Sequence, residues 1–400
     1  MARVTDFFGF FVYAIASALV FPAVFFPHLD PISGTLWSFA LFSLAFLARP
    51  IASLAGRSIQ AKIGRAGKIT LALMVLGVST VAIGLLPGYD KIGVLAPISL
   101  AFLRFVQGLG LGGSWDGITL QLKSAAPKGR EGLYGMVPQL GGPIGFCVAA
   151  ALFFVLWGFL TEEEFLGYGW RFAFFAVMAV NVVALFARLR LLTTNFGNSD
   201  DTLLQSAPLP KLLRSEGDTI ILSALLPLTS YALFHMVTVF PLSYTLLLSD
   251  NDVTNVLLFE LLGGTLAIGA VILSGVLADK YSRHAVTWVS CGLVVVLCLC
   301  IGMLESNPGV YIVFGLIVLG FSYGQSSAIV PDRFAPEFRY SGSALATNLS
   351  WILGAAFAPL VGLSLAWAFG LWAAALYLLS AVVVTTSALY LLRQKRGRRK

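Results

Sequence analysis

Twelve runs of about 20 apolar residues follow one another along this 400-residue chain. They lie at roughly 8–27, 34–56, 69–88, 94–119, 133–159, 170–191, 219–247, 254–277, 285–304, 309–330, 341–364 and 367–392. Each run can cross ~30 Å of hydrocarbon as a helix rising 1.5 Å per residue. The runs are continuously apolar and do not alternate, so a helical bundle is expected and a β-barrel is not. Composition agrees. Charged residues make up 11% of the chain, against roughly 25% in soluble domains. Cys147, Cys291, Cys298 and Cys300 all fall inside apolar runs without a CxxC pair, as small packing residues would. No metal or cofactor site is expected. The first run lacks a cleavage-type ending, so it is expected to be a retained helix.

Charge is distributed by side. With twelve spans both termini share a side, and placing them in the cytoplasm puts 22 of the 26 Lys and Arg there. The opposite loops are acidic instead, with Asp30, Asp90, Glu162, Glu163, Glu164, Asp250, Asp252 and Glu305. This positive-inside split accounts for the net charge of +7. It implies contact with anionic lipid, not with nucleic acid. The tail 393–400 reads as a basic topology anchor. One long polar stretch, 193–218, interrupts the apolar pattern at the midpoint of the chain. The organisation expected is therefore a six-helix bundle over 1–192, a central cytoplasmic loop, and a second bundle over 219–392.

A charged loop, Gly275-Val276-Leu277-Ala278-Asp279-Lys280-Tyr281-Ser282-Arg283, is wedged between two apolar runs and has a partial twin half a chain earlier at 57–65. Lys62 matches Lys280 and Arg65 matches Arg283, but Ala61 stands opposite Asp279 and Arg57 opposite Gly275. Such repeats mark transporters built from two related halves. Gly275 permits close helix approach. Asp279 can latch the cytoplasmic side by capping a neighbouring helix N-terminus or by pairing with Arg283.

Within the spans, Arg104 is the most telling residue, because a charge at that depth is expensive unless paired or solvated. Gln107, one turn on, shares its face. Arg104 is expected to bind substrate or to organise a proton site, the alternative being a clamp onto backbone carbonyls. Asp116 lies farther along the same run, and Glu260 is a second intramembrane acid whose carboxyl suits a proton carrier. His235 fits a neutral interhelix role. Arg49, before Pro50, can snorkel towards the inner surface or contribute to binding. Pro138, Gly141, Gly142 and Pro143 are expected to bend the fifth span or to let it cross a neighbour closely.

At these residues the chain resembles the metabolite:H⁺ symporter branch of the major facilitator superfamily. The resemblance runs through Phe25-Phe26-Pro27, Phe46-Leu47-Ala48-Arg49-Pro50, Arg104 to Gly117, Tyr134-Gly135 with Pro138 to Gly141, and Gly169-Trp170-Arg171. In the second half it rests on 275–283 and Phe338-Arg339-Tyr340-Ser341-Gly342. It implies an all-α integral membrane protein of twelve transmembrane helices in two six-helix bundles. It also implies alternating access at a bacterial inner membrane, with a small-molecule substrate and protons as partners, by a monomer. The chain departs from the branch at three acids, having Ala61, Ser114 and Gly9 where acids are usual, while Asp6 keeps one in place. The leading expectation is proton-coupled symport of a small organic acid or zwitterion. An uncoupled facilitator or exporter on the same fold is the alternative. A transporter-derived sensor would carry an appended soluble domain, and none is visible. An enzyme is not expected, since no nucleotide loop or nucleophile–base pairing is present.

Overall fold

The computed structural model describes residues 2–113, 117–194 and 207–397. All regular structure among them is helical. Among the described residues, eight helices are long and apolar enough to cross a membrane, and a ninth is bent by 42° between Glu162–Gly169 and Arg171–Phe186. The shorter apolar helices Arg283–Leu299 and Pro308–Tyr323 and the N-terminal helix Ala2–Leu19 complete the twelve spans. They are labelled in order α1 (Ala2–Leu19), α2 (Pro31–Gly56), α3 (Ala66–Leu85), α4 (Leu95–Gly113), α5 (Gly141–Phe159) and α6 (Arg171–Thr194). The second half supplies α7 (Leu228–Leu248), α8 (Val253–Lys280), α9 (Arg283–Leu299), α10 (Pro308–Tyr323), α11 (Pro336–Phe369) and α12 (Leu371–Gly397).

Local chemistry explains where these helices start, break and end. Asp30 accepts from the Ser33 amide at 3.0 Å and Pro31 follows at the first helical position, so α2 begins with a capped N-terminus. Helical hydrogen bonding runs on from α2 towards α3 until Gly64, whose φ of 74° turns the chain. That left-handed region costs glycine nothing. The fifth span opens with a short helix, Glu131–Met136, and passes through a 3₁₀ turn at Val137–Leu140 before α5 begins. The change in the helix thus falls on Pro138, at the start of the cluster expected to bend it. Pro143 sits in the first turn of α5, where its missing amide hydrogen costs no helical bond. Gly141 serves close packing: a Cβ there would lie 2.7 Å from the Arg3 side chain on α1. In α11 the α-helical ladder gives way to a π-helical turn at Trp351–Ala356. Tyr377 of α12 donates to the Gly354 carbonyl there, at 2.6 Å.

By packing, the chain forms two compact units. One comprises 1–116, 141–198 and 238–262; the other comprises 117–140, 199–237 and 263–400. The division by chain order, 1–192 against 219–392, describes the succession of spans, whereas packing exchanges two segments across it. The exchanged segment 117–140 packs with second-half helices, and 238–262 packs with first-half helices. In the first unit the core is aromatic. Tyr13, Phe21, Phe25, Phe42, Phe46, Trp170 and Phe174 are buried, with Tyr13 and Phe21 ring centroids 5.0 Å apart and Phe21 and Trp170 5.8 Å apart. In the second unit Tyr231 stacks on Trp351 at 4.5 Å, with Phe234 and Tyr323 against them.

Candidate functional site

The glycines of the fourth span decide how near its neighbours come. A Cβ on Gly108 or Gly112 would lie within 2.4 Å of the α2 backbone at Ala45 and Arg49, and one on Gly110 would lie 2.8 Å from Leu76 of α3. α4 is therefore wedged between α2 and α3, backbone to backbone, as small residues permit in membrane helices. That wedge sets Arg104 and Gln107 among groups from α1, α2 and α3.

Arg104 is wholly buried. Its guanidinium carbon lies 3.7 Å from the Tyr13 ring centroid and 4.8 Å from that of Phe42, so two aromatic faces offset part of its desolvation. Its Nε donates to the Phe42 carbonyl at 3.2 Å, and one terminal nitrogen, Nη1, donates to Gln107 Oε1 at 2.5 Å. Gln107 in turn donates to Thr80 Oγ1 at 2.8 Å, and Thr80 donates to the Leu76 carbonyl at 2.7 Å. Among the described residues no carboxylate pairs with Arg104, and its Nη2 has no hydrogen-bond partner. Most of the guanidinium is thus tied down, one bond being to a backbone carbonyl as a clamp would have it, and one nitrogen is left.

Arg104 and Gln107 also border a small cavity with room for about one water molecule. Thr5, Asp6 and Gly9 of α1, Thr80 of α3, Arg104 and Gln107 of α4, and Asn181 of α6 line it, with apolar neighbours. Asp6 and Arg104, 98 positions apart in sequence, thus share one polar cavity with Gln107. Tyr13, Phe42, Thr80 and Asn181 escaped the sequence reading. Asn181 carried a usable signal, as a lone amide inside an apolar run; Tyr13 and Phe42 carried none, being aromatic residues in spans rich in them. Gly9 lines the cavity too, and a Cβ there would meet Val177 at 2.8 Å. Arg49 is half-buried on α2, near enough for its charge to act on Arg104. Asp116 lies outside the described residues.

Glu260 stands apart from this cavity. It lies on the buried stripe of α8, fully enclosed, and neither carboxyl oxygen has a hydrogen-bond partner among the described residues. His235 is also fully buried, with its ring edge-to-face on Phe234 at 5.3 Å.

The charged loop forms a second constellation, within the second unit. Asp279 accepts from the backbone amides of Gly132 and of Leu133, the latter at 2.9 Å. These belong to the first turn of the helix Glu131–Met136, so the carboxylate caps its N-terminus. Of the two roles open to Asp279 the structure has the cap, because Arg283 is engaged elsewhere: it bonds Asp332 at 2.8 Å, and Lys123 bonds the other oxygen of Asp332. Gly275 makes the approach possible, since a Cβ there would lie 2.7 Å from the Met136 side chain. Lys280 lies over the ring of Tyr281 at 5.2 Å. In the first copy Lys62 and Ala61 are exposed, and the Arg65 side chain lies outside the described part. The two copies are therefore unlike: one holds a capped junction, the other an open stretch of helix.

Comparison with known proteins decides the family. A family model described as the Major Facilitator Superfamily matches residues 7–347. The chain belongs to the major facilitator superfamily. Among curated relatives, the inner membrane metabolite transport protein YhjE of Escherichia coli strain K12 is 34% identical, over 98% of this chain and 92% of that protein. The shikimate transporter of the same organism is 29% identical over 98% and 92%, and its proline/betaine transporter 28% identical over 86% and 71%. Among solved structures, that of the proton:xylose symporter XylE superposes with a TM-score of 0.71 at 13% identity, covering 98% of this chain and 94% of the other. The fold is thus the twelve-helix major facilitator fold, and the protein is a multi-pass secondary transporter of small molecules.

Proposed function

We propose that this major facilitator is a proton-coupled symporter of a small organic acid or zwitterion, with Asp6 and Arg104 forming its proton site. The supporting observation is the small cavity that Asp6, Arg104 and Gln107 line together. A space of that size admits water and protons but no metabolite, which favours a coupling role for Arg104 over direct capture of a substrate carboxylate. A carboxyl whose distance from a fixed cation changes with substrate or conformation can exchange a proton. The substrate class follows from relatives named for shikimate and for proline and betaine, each of which carries a carboxylate. The basic loops and tail support cytoplasmic termini, in a bacterial inner membrane and with the monomer as the working unit. Asp279, Arg283, Asp332 and Lys123 then close the cytoplasmic side.

A second reading, an uncoupled facilitator, is favoured by Gly9, which leaves Asp6 as the one acid lining the cavity. Uptake into proteoliposomes of a panel including shikimate, proline and glycine betaine, with and without an imposed inward proton gradient, separates the two. Symport requires at least one compound to accumulate above equilibrium only when the gradient is present. Counterflow without any gradient-driven accumulation would establish the facilitator instead.

A further inference from the structure

Lys123, Arg283, Arg333 and Arg339 gather round a single carboxylate in the second unit. Asp332 bonds Arg283 with one oxygen, at 2.8 Å, and Lys123 with the other, so its capacity for ion pairing is already divided. Arg333 lies against the His284 ring. Arg339 stands near enough for its charge to act on Lys123, as does that of Arg283.

No acid is left for Arg339. Among the described residues it makes no hydrogen bond or ion pair, and its Nε is enclosed without a partner. The neighbouring carboxylates are engaged: Asp279 accepts from the amides of Gly132 and Leu133, and Glu337 pairs with Lys211 at 3.3 Å. Glu131, which the charges of Arg283 and Lys123 also reach, accepts from the Gly129 amide at 3.4 Å. The helices add to the excess. α9 begins at Arg283 and the first α-helical stretch of α11 at Arg339, neither with an acid in its first turn. A helix N-terminus carries partial positive charge, so a basic residue there is unfavourable unless an anion lies alongside. The cluster is largely enclosed at Lys123 and Arg283, whose side chains are 12% and 17% exposed, and it opens at Asp332, which is 45% exposed.

We propose that this cluster is a binding site for a phosphate-type anion, with Arg339 as its main ligand and Lys123 and Arg333 beside it. Guanidinium groups take phosphate oxygens in pairs, and a tetrahedral anion can accept from donors on several sides, which a planar carboxylate cannot. A phosphate group carries up to two negative charges, which bring four cations and one carboxylate close to balance. Its source is the headgroup of an anionic phospholipid or the phosphate of a soluble compound; both present the same oxygens. An anion held there ties Lys123, on the segment 117–140, to the starts of α9 and α11. It thereby strengthens the junction that Asp279 makes with the same segment. The site does not depend on how protons are coupled to transport.

The unfolding temperature of the full-length protein reads occupancy without a transport assay. In one arm, inorganic phosphate is titrated against chloride at constant ionic strength in a non-ionic detergent. In the other, the protein sits in nanodiscs of phosphatidylglycerol or of phosphatidylcholine. The site requires a saturable rise in Tm with phosphate, or a higher Tm in phosphatidylglycerol than in phosphatidylcholine. A response to phosphate alone identifies a soluble ligand, one to phosphatidylglycerol alone a lipid headgroup, and one to both a site that takes either. Arg339→Gln should weaken the apparent affinity for phosphate about tenfold, as loss of one charge-assisted bond implies, and should abolish the difference between the two lipids. Should Arg339→Gln not fold, Lys123→Gln removes another cation and should weaken the response in the same way. A Tm that responds in neither arm overturns the site. So does a response that these variants leave unchanged, which would mark general salt exclusion or lipid contact elsewhere on the surface.

Discussion

A buried guanidinium needs several partners at once, and Arg104 has them in a fork: a carbonyl at Nε, an amide oxygen at Nη1 and two ring faces. Lysine carries the charge but not the fork. Arg104→Lys should therefore fold with a lowered Tm and lose gradient-driven accumulation; accumulation at wild-type rates would show that charge alone suffices. Glu260 presents the opposite case, an enclosed carboxyl with neither oxygen bonded among the described residues. Replacing such a group by an apolar one of similar size removes an unsatisfied polar burden of about 1–3 kcal/mol. Glu260→Leu should raise the Tm, and a fall of several degrees would reveal a structural role. The sequence identified Arg104, Gln107 and Glu260, because intramembrane polarity stands out against an apolar background. Thr80 and Tyr13 were illegible. Hydroxyl and aromatic residues are common in membrane helices, and which of them meets Arg104 depends on how α1, α3 and α4 are rotated.

At the level of the element, the junction at Asp279 joins a helix end to a carboxylate. Asp279→Ala removes the acceptor for two amides of the Glu131–Met136 helix, a loss of about 1–2 kcal/mol for an N-cap. A cysteine introduced at Ser326, buried beside Gln139, should then react faster with a soluble maleimide, while unchanged labelling would count against a latch. The spans were legible as elements because continuous apolar runs of the right length leave one solution in a bilayer. Their internal breaks were not: the 3₁₀ turn at Val137–Leu140 falls on a Pro visible in sequence, whereas the π-helical turn at Trp351–Ala356 has no such marker. The partner of Arg283 also escaped sequence reasoning. Asp332 is one of several loop acids, and only the folded chain sets it between Arg283 and Lys123.

Over the whole molecule, the two charged loops that mark the chain as a duplicated transporter turn out to be unequal, with a capped junction at Asp279 and open helix at Ala61. The two compact units exchange segments 117–140 and 238–262, which no reading of span order reveals, because exchange depends on packing between distant parts of the chain. What couples transport to protons in this account is confined to α1, α3, α4 and α6 of one unit. The most direct test sets wild type against Asp6→Asn in proteoliposomes, for whichever compound of the panel the wild type accumulates. Asp6→Asn should retain counterflow and lose accumulation driven by an inward proton gradient. Accumulation by Asp6→Asn equal to that of the wild type would contradict the account.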